Sequence, residues 1–286
     1  MVKPELTMLN SMAGREIEAA LDRHMEWGLK TLDLKDQVYG KSIVDLSSDE
    51  ARRLAGAMQQ RGLSAYCFST ALFHEPVALG EAHFRHSALA ALPRTLAVAR
   101  IVKPTLIRLL DPKGHGRFPD WMIGLYREAG DQIAAAGFHT TIENECHDCL
   151  FGNVENIVDF FQRLDRPGTV TFTWDIQNLW SQGTFPSLDV YHALKPWMNY
   201  VHFKGGQSES PGCALKWAAS LADASWPVRA IARQVLRDAI SPVWCLNPSH
   251  GAHKPGVDYA NVTRSDLAFL RQVIAEGGCD MDGETT

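Results

Sequence analysis

Along this chain, short runs of alternating apolar and polar residues repeatedly give way to longer stretches with apolar residues three and four apart. Alternation of period two sends successive side chains to opposite faces of a strand, whereas the longer spacing puts an apolar stripe on a helix. The pattern predicts eight strands, over 6–10, 31–36, 63–69, 105–110, 139–144, 170–175, 200–204 and 243–247. Helical stripes lie between them: Val154, Ile157, Val158, Phe161 and Leu164; Val228, Ile231, Val235 and Leu236; Leu267, Leu270 and Ile274. Local punctuation supports this parsing. Ser47 and Glu50 form a capping box, and Thr263 with Asp266 a weaker one before the last helix. Gly62, Gly137 and Gly277 stand where left-handed helix ends are wanted, and Pro93 should kink or divide the long third helix.

Eight strand–helix units in 286 residues, about 36 residues each, predict a (β/α)8 TIM barrel forming one domain over 1–286. A doubly wound open sheet alternates in the same way, so the strand ends must discriminate. Parity can be read along each strand, because one face meets the helices and the other fills the barrel. Leu32 and Leu34 face the helices, leaving Asp33 and Lys35 inward; Ile142 faces out, leaving Thr141, Glu143 and Glu145 inward. Asp175 ends the sixth strand opposite Val170, Phe172 and Trp174. On the seventh, His202 and Lys204 point inward, and on the eighth Cys245 and Asn247 do so. Lys35, Glu143, Asp175, His202 and Lys204 thus gather near the C-terminal strand ends, the face where barrel enzymes build their sites. Lone charges buried in a barrel are costly, so their convergence points to a site rather than to unrelated turn caps. Two carboxylates and an imidazole are the ingredients of a divalent-metal centre, suiting Mn, Mg, Co or Zn.

Composition narrows the function classes. With 28 Lys plus Arg against 33 Asp plus Glu, the net charge of −5 offers no global attraction to nucleic acid or an anionic membrane. Hydrophobic residues make up 45% and charged residues 21%, without any uninterrupted apolar stretch of membrane-spanning length. The first ten residues lack the apolar core of a signal peptide, and six scattered cysteines do not make a disulfide scaffold. A reduced, cytoplasmic protein is expected, as a possible homo-oligomer. Cys146 and Cys149 form a lone Cys-x-x-Cys, which without a second pair reads as a loop shaping the pocket rim rather than as a redox or zinc motif. Arg108 has an ambiguous parity, equally a structural ion pair or a substrate clamp. Trp174, Trp180, Trp197 and Trp244 read as helix–barrel packing.

At the strand ends the sequence resembles the xylose isomerase-like barrel superfamily of sugar phosphate isomerases and epimerases. "TIENE" is similar to its strand-five glutamate motif, "WDIQN" to its strand-six motif of Asp followed three residues later by His or Asn, and "YVHFKGG" to its strand-seven His-x-Lys motif. The resemblance implies one divalent ion held by Glu143, Asp175 and His202, with Lys204 beside a small sugar-like substrate. Glu143 and Lys204 are read as the catalytic pair, and Lys35, Glu145, Asn178, Lys204 and His250 as substrate-binding residues. In the family a fourth ligand, a glutamate that also acts as a base, commonly ends strand eight; here "VWCLNPSH" places Asn247 there. An amide oxygen still ligates a hard cation but takes no proton at neutral pH. Glu145, His147, His250 and His253 are the nearby candidates for a replacement acid or base. The expected activity is isomerisation or epimerisation of a small keto sugar or related polyhydroxy carbonyl compound through an enediolate. A lyase or dehydratase and a non-catalytic sugar-binding relative are the alternatives; an endonuclease of the same superfamily fits the acidic balance poorly.

Overall fold

The computed structural model describes residues 3–146, 148–215, 220–248 and 258–279. Eight parallel strands form its sheet: β1 (Glu5–Met8), β2 (Thr31–Leu34), β3 (Ser64–Ser69), β4 (Leu106–Leu110), β5 (His139–Glu143), β6 (Val170–Asp175), β7 (Met198–Phe203) and β8 (Val243–Leu246). All eight predicted strands are present, in the order β1-β8-β7-β6-β5-β4-β3-β2. A single parallel bridge, Leu9 to Asp33, and a hydrogen bond from Thr7 Oγ1 to the Thr31 carbonyl at 2.7 Å join β1 to β2. The sheet is therefore a barrel rather than the open doubly wound alternative.

Helices follow the strands as the apolar spacing predicts. They include α1 (Ile17–Glu26), α2 (Ser48–Gln60), α3 (Leu92–Val102), α4 (Asp120–Ala135), α5 (Val154–Leu164), α6 (Ile176–Ser181), α7 (Leu188–Leu194), α8 (Val228–Asp238) and α9 (Tyr259–Cys279). The α5 stripe buries Ile157, Phe161 and Leu164, and the α8 stripe buries Val228, Ile231, Val235 and Leu236. Ser47 and Glu50 close both halves of the capping box on α2. Pro93 stands in the first turn of α3, where its missing N–H costs nothing, and so divides the predicted long third helix.

Two local expectations are corrected. Helix α9 begins at Tyr259, so Thr263 and Asp266 lie inside it; the Asp266 carboxylate instead accepts from the Leu221 amide at 2.7 Å. Gly277 is likewise helical. A Cβ there would collide with the Leu236 side chain, so this glycine lets α9 lie close against α8. Gly62 and Gly137 do adopt the left-handed conformation, with φ of 65° and 87°.

The main core lies between barrel and helices and includes Leu32, Leu34, Ile142, Phe172, Trp174, Val201, Phe203, Trp244 and Leu246. Trp180 is buried in it as well, and Trp197 packs against it, stacked on Phe161. A smaller cluster containing Leu106, Tyr200, Val243 and Cys245 fills the barrel itself. This division is the one strand parity predicts. It leaves the next inward residues, Arg108, His202 and Asn247, stacked above an apolar plug. No described helix is long and apolar enough to cross a membrane.

Candidate metal centre

Parallel pairing sets the inward residues of neighbouring strands side by side or one inward step apart, Glu143 being paired with Thr173, two residues before Asp175. Asp175 is paired with His202, His202 with Cys245, and Leu110 with Glu143 along adjacent strands. One ligand atom each of Glu143, Asp175 and His202 lies within 4.8 Å of the other two, and all three residues are buried. Asn247 sits beside them, its Nδ2 donating to Asp175 Oδ2 at 3.2 Å. The predicted ligand set is thus brought together by four different strand ends.

Cations already neutralise part of this acidic cluster. Arg108, inward on β4, is 2% exposed and donates Nη1 to Glu143 Oε2, while His202 Nδ1 lies 2.8 Å from Glu143 Oε1. The structure thereby settles Arg108 as a buried ion-pair partner. Lys204 Nζ lies 3.2 Å from Asp175 Oδ2 and 3.3 Å from Asn178 Oδ1. Burial raises the Glu143 carboxyl, but Arg108, His202 and Lys204 outweigh it and hold the group well below the usual carboxylate range. For Asp175 burial prevails over the Lys204 charge, and its carboxyl moves up. Burial pulls Lys204 and His202 down, yet the surrounding carboxylates overcome it and raise both.

Asp33 was legible as inward but not as a site residue. It is completely buried and accepts from Ser69 Oγ and, at 3.0 Å, from the Tyr200 hydroxyl; His202 Nε2 lies 3.4 Å from its Oδ2. Tyr200 also packs edge-on against the imidazole, with ring centroids 4.9 Å apart. The His202 ring therefore lies between two carboxylates, Glu143 on one nitrogen and Asp33 on the other. Asn144 was also missed. Its side chain exchanges two 2.9 Å hydrogen bonds with the backbone of Asp175, extending the β5–β6 pairing past the strand ends and fixing the aspartate.

Of the predicted substrate-binding residues, three surround the cluster. Asn178 links Lys204 to Glu145, donating Nδ2 to Glu145 Oε1 at 3.1 Å. Burial raises the Glu145 carboxyl, but Lys204 and the Cys146 N–H help bring it below its ordinary value. Lys35 is not brought into this network. Its ammonium turns to Asp36 at 4.0 Å, because the residue lies beyond the end of β2, where its backbone N–H is taken by the Asn10 side chain. His250, with His147 and His253, lies outside the described residues. The Cys149 thiol donates to the Cys146 carbonyl at 3.5 Å, and burial pushes Cys146 up to about 12 and Cys149 higher still, which disfavours a redox role.

The residues present fit a divalent cation. A spacing of 2.8 Å between Glu143 Oε1 and His202 Nδ1 suits ligands sharing one ion with bonds of about 2.0–2.2 Å. Asn247 Oδ1 is buried and has no hydrogen-bond partner among the described residues, which leaves an oxygen donor at the cluster.

No family model matches the chain, and no curated protein matches it. Solved structures do. An L-ribulose 3-epimerase matches at 11% identity with a TM-score of 0.73, covering 99% of this chain and 98% of its own. A xylose isomerase-like TIM barrel protein from Mycobacterium smegmatis, in complex with magnesium, matches at 18% identity and TM-score 0.71, with coverage of 97% and 98%. The probable 3-DHS dehydratase AsbF from Bacillus anthracis matches at 14% identity and TM-score 0.71, with coverage of 93% and 98%. The chain therefore carries the xylose isomerase-like TIM barrel fold over nearly its whole length.

Proposed function

We propose that this barrel is a divalent-metal-dependent isomerase or epimerase of a small keto sugar or related polyhydroxy carbonyl compound. The observation that carries the reading is the convergence of Glu143, Asp175 and His202 within 4.8 Å, beside the Lys204 ammonium. Glu143, Asp175, His202 and Asn247 would hold one ion of Mn, Mg, Co or Zn type, with oxygen and imidazole donors. Such an ion supplies Lewis-acid polarisation of a substrate carbonyl, which acidifies the neighbouring C–H towards an enediolate. The structural relatives support the class, since an epimerase of similar fold acts on a ketose.

Lys204 holds its proton firmly because Asp175 and Glu145 raise it, so its role is to donate to a developing oxyanion. Glu143 serves better as a ligand than as a base, because Arg108 and His202 hold its two oxygens inside the cluster. Proton transfer falls to Glu145, positioned by Asn178 at the edge of the same network. His202 must give up any second proton before its ring can ligate, so ion and proton compete for this imidazole.

Asp33 is a positioning residue in this scheme, since a carboxylate on one imidazole nitrogen fixes the tautomer that presents the other. Asp33→Asn is expected to weaken ion binding about 10- to 100-fold, measured by calorimetric titration of the demetallated protein. Unchanged affinity in a folded variant would confine Asp33 to a structural role.

A second reading, a lyase or dehydratase on the same scaffold, is favoured by Asn247. The amide cannot supply the second proton-transferring group that exchange between opposite faces of a carbon requires, whereas elimination of a β-hydroxyl proceeds with one base. A dehydratase is also among the structures of similar fold. Turnover of a ketose and hydroxy-ketone panel in deuterated water separates the readings. Isomeric product carrying solvent deuterium supports the isomerase, and an unsaturated product formed with loss of water supports the lyase. Sugar binding without either product would make the chain a non-catalytic relative.

A further inference from the structure

A second cluster of metal-ligating side chains lies at the same end of the barrel, outside the centre described above. His74 comes from the loop after β3, Asp111 stands one residue past β4, and Cys149 lies in the loop after β5. One imidazole nitrogen, one carboxylate oxygen and the thiol sulfur lie within 4.8 Å of one another, with Asp111 and Cys149 buried and His74 half-buried.

The backbone frame around them is already assembled. Lys113 N donates to Glu75 O at 3.0 Å, Val77 N to Lys113 O at 2.8 Å, and Leu150 N to Pro112 O at 3.0 Å. Isolated bridges pair Lys113 with both Pro76 and Cys149, so the three loops lie edge to edge. Sites on such a rigid frame hold their ligands in place without ordering a loop on binding. Phe73, immediately before His74, is held at φ 73°, a left-handed conformation that is costly for a bulky buried residue.

Asp111 is completely buried. Its two oxygens accept the amides of Glu145 and Phe151, each at 2.8 Å, and among the described residues no Lys or Arg forms an ion pair with it. The backbone amides satisfy its hydrogen bonding without supplying a counter-charge. His74 Nδ1 lies 3.1 Å from the Asp111 carbonyl oxygen; donation there leaves the lone pair on Nε2, the arrangement by which ligating histidines are oriented.

We infer that His74, Asp111 and Cys149 form a zinc site that braces the rim of the barrel. A thiolate, an imidazole and a carboxylate make a three-ligand set, with water in the fourth position. Bonds of about 2.0–2.3 Å require the ligand atoms to draw together by roughly 1 Å, within reach of side-chain rotation. Binding displaces the Cys149 thiol proton to solvent, and the thiolate takes its place on the cation. The soft sulfur selects zinc over magnesium, whereas Glu143, Asp175, His202 and Asn247 offer only nitrogen and oxygen donors. The brace reaches that cluster through Asp111, whose Oδ1 holds the amide of Glu145. This inference does not depend on the proposed reaction.

Titration of the chelator-treated protein with cobalt(II), and then with zinc, tests it. Thiolate-to-cobalt charge transfer gives a near-ultraviolet band that oxygen and imidazole ligands do not. The band should appear with one equivalent at this site, persist in Asp175→Asn, and be displaced by zinc. Cys149→Ser should abolish it, and His74→Ala should lower cobalt affinity by at least about a hundredfold, more than loss of a supporting hydrogen bond does. His74→Ala removes a half-buried side chain, so it remains informative if the serine variant fails to fold. Absence of a thiolate band in the parent overturns the site. A band that survives Cys149→Ser, or that is lost in Cys245→Ser while Cys149→Ser retains it, overturns it as well.

Discussion

Asp175→Asn is expected to strip the divalent ion from the central cluster and reduce turnover to background while the barrel stays folded. The amide keeps the volume of the side chain and an oxygen for the Asn178 N–H, a 3.0 Å bond that caps α6. What it loses is the charge that partly balances Lys204 and would bind the ion. Alanine is the poorer test, because removing one partner of a buried ion pair costs roughly 3–5 kcal/mol and would confuse metal loss with unfolding. Elemental analysis after exhaustive dialysis, alongside a thermal melt, reads both quantities. A variant that keeps its full equivalent of central metal would move the centre away from Asp175.

Lys204→Met should lower kcat by about two to three orders of magnitude, the usual loss when a donor to a developing oxyanion is removed. Metal content should not fall, since methionine removes a cation rather than a ligand. The substitution also leaves Asp175 with the Asn247 amide as its remaining side-chain donor, so ion affinity should rise if anything. That separation distinguishes transition-state stabilisation from simple charge balance. Were Lys204 present only to neutralise Asp175, kcat would survive while metal affinity rose. Lys204→Arg, which restores charge but not the compact ammonium, should recover only part of the rate.

The sequence alone determined the frame and the direction in which each strand-end residue points. Strand periodicity is a local property, set by a backbone that alternates its side chains, so Glu143, Asp175, His202 and Asn247 were legible as inward before any contact was known. Helix α5 and the Ser47 capping box were legible for the same reason, since their signals span a few consecutive residues. Boundaries that depend on packing were not. Thr263 and Asp266 look like a helix start, yet α9 begins earlier, and Asp266 is drawn to the amide of Leu221 across the fold.

Only the tertiary structure decided which inward charge meets which. Arg108 reaches Glu143 from a neighbouring strand, and Asp33 is joined by Tyr200 and His202 from β7, far along the chain. Lys35 shares Asp33's parity but ends beside Asp36, because β2 stops at Leu34 and the backbone turns away to Asn10. The same holds at the rim, where Asp111 gathers the amides of Glu145 and Phe151 beside His74 and Cys149. Parity fixes the side of a strand on which a residue lies. Its partners depend on where each strand ends and on the register across the closed barrel, and these are set by the packing of the whole chain.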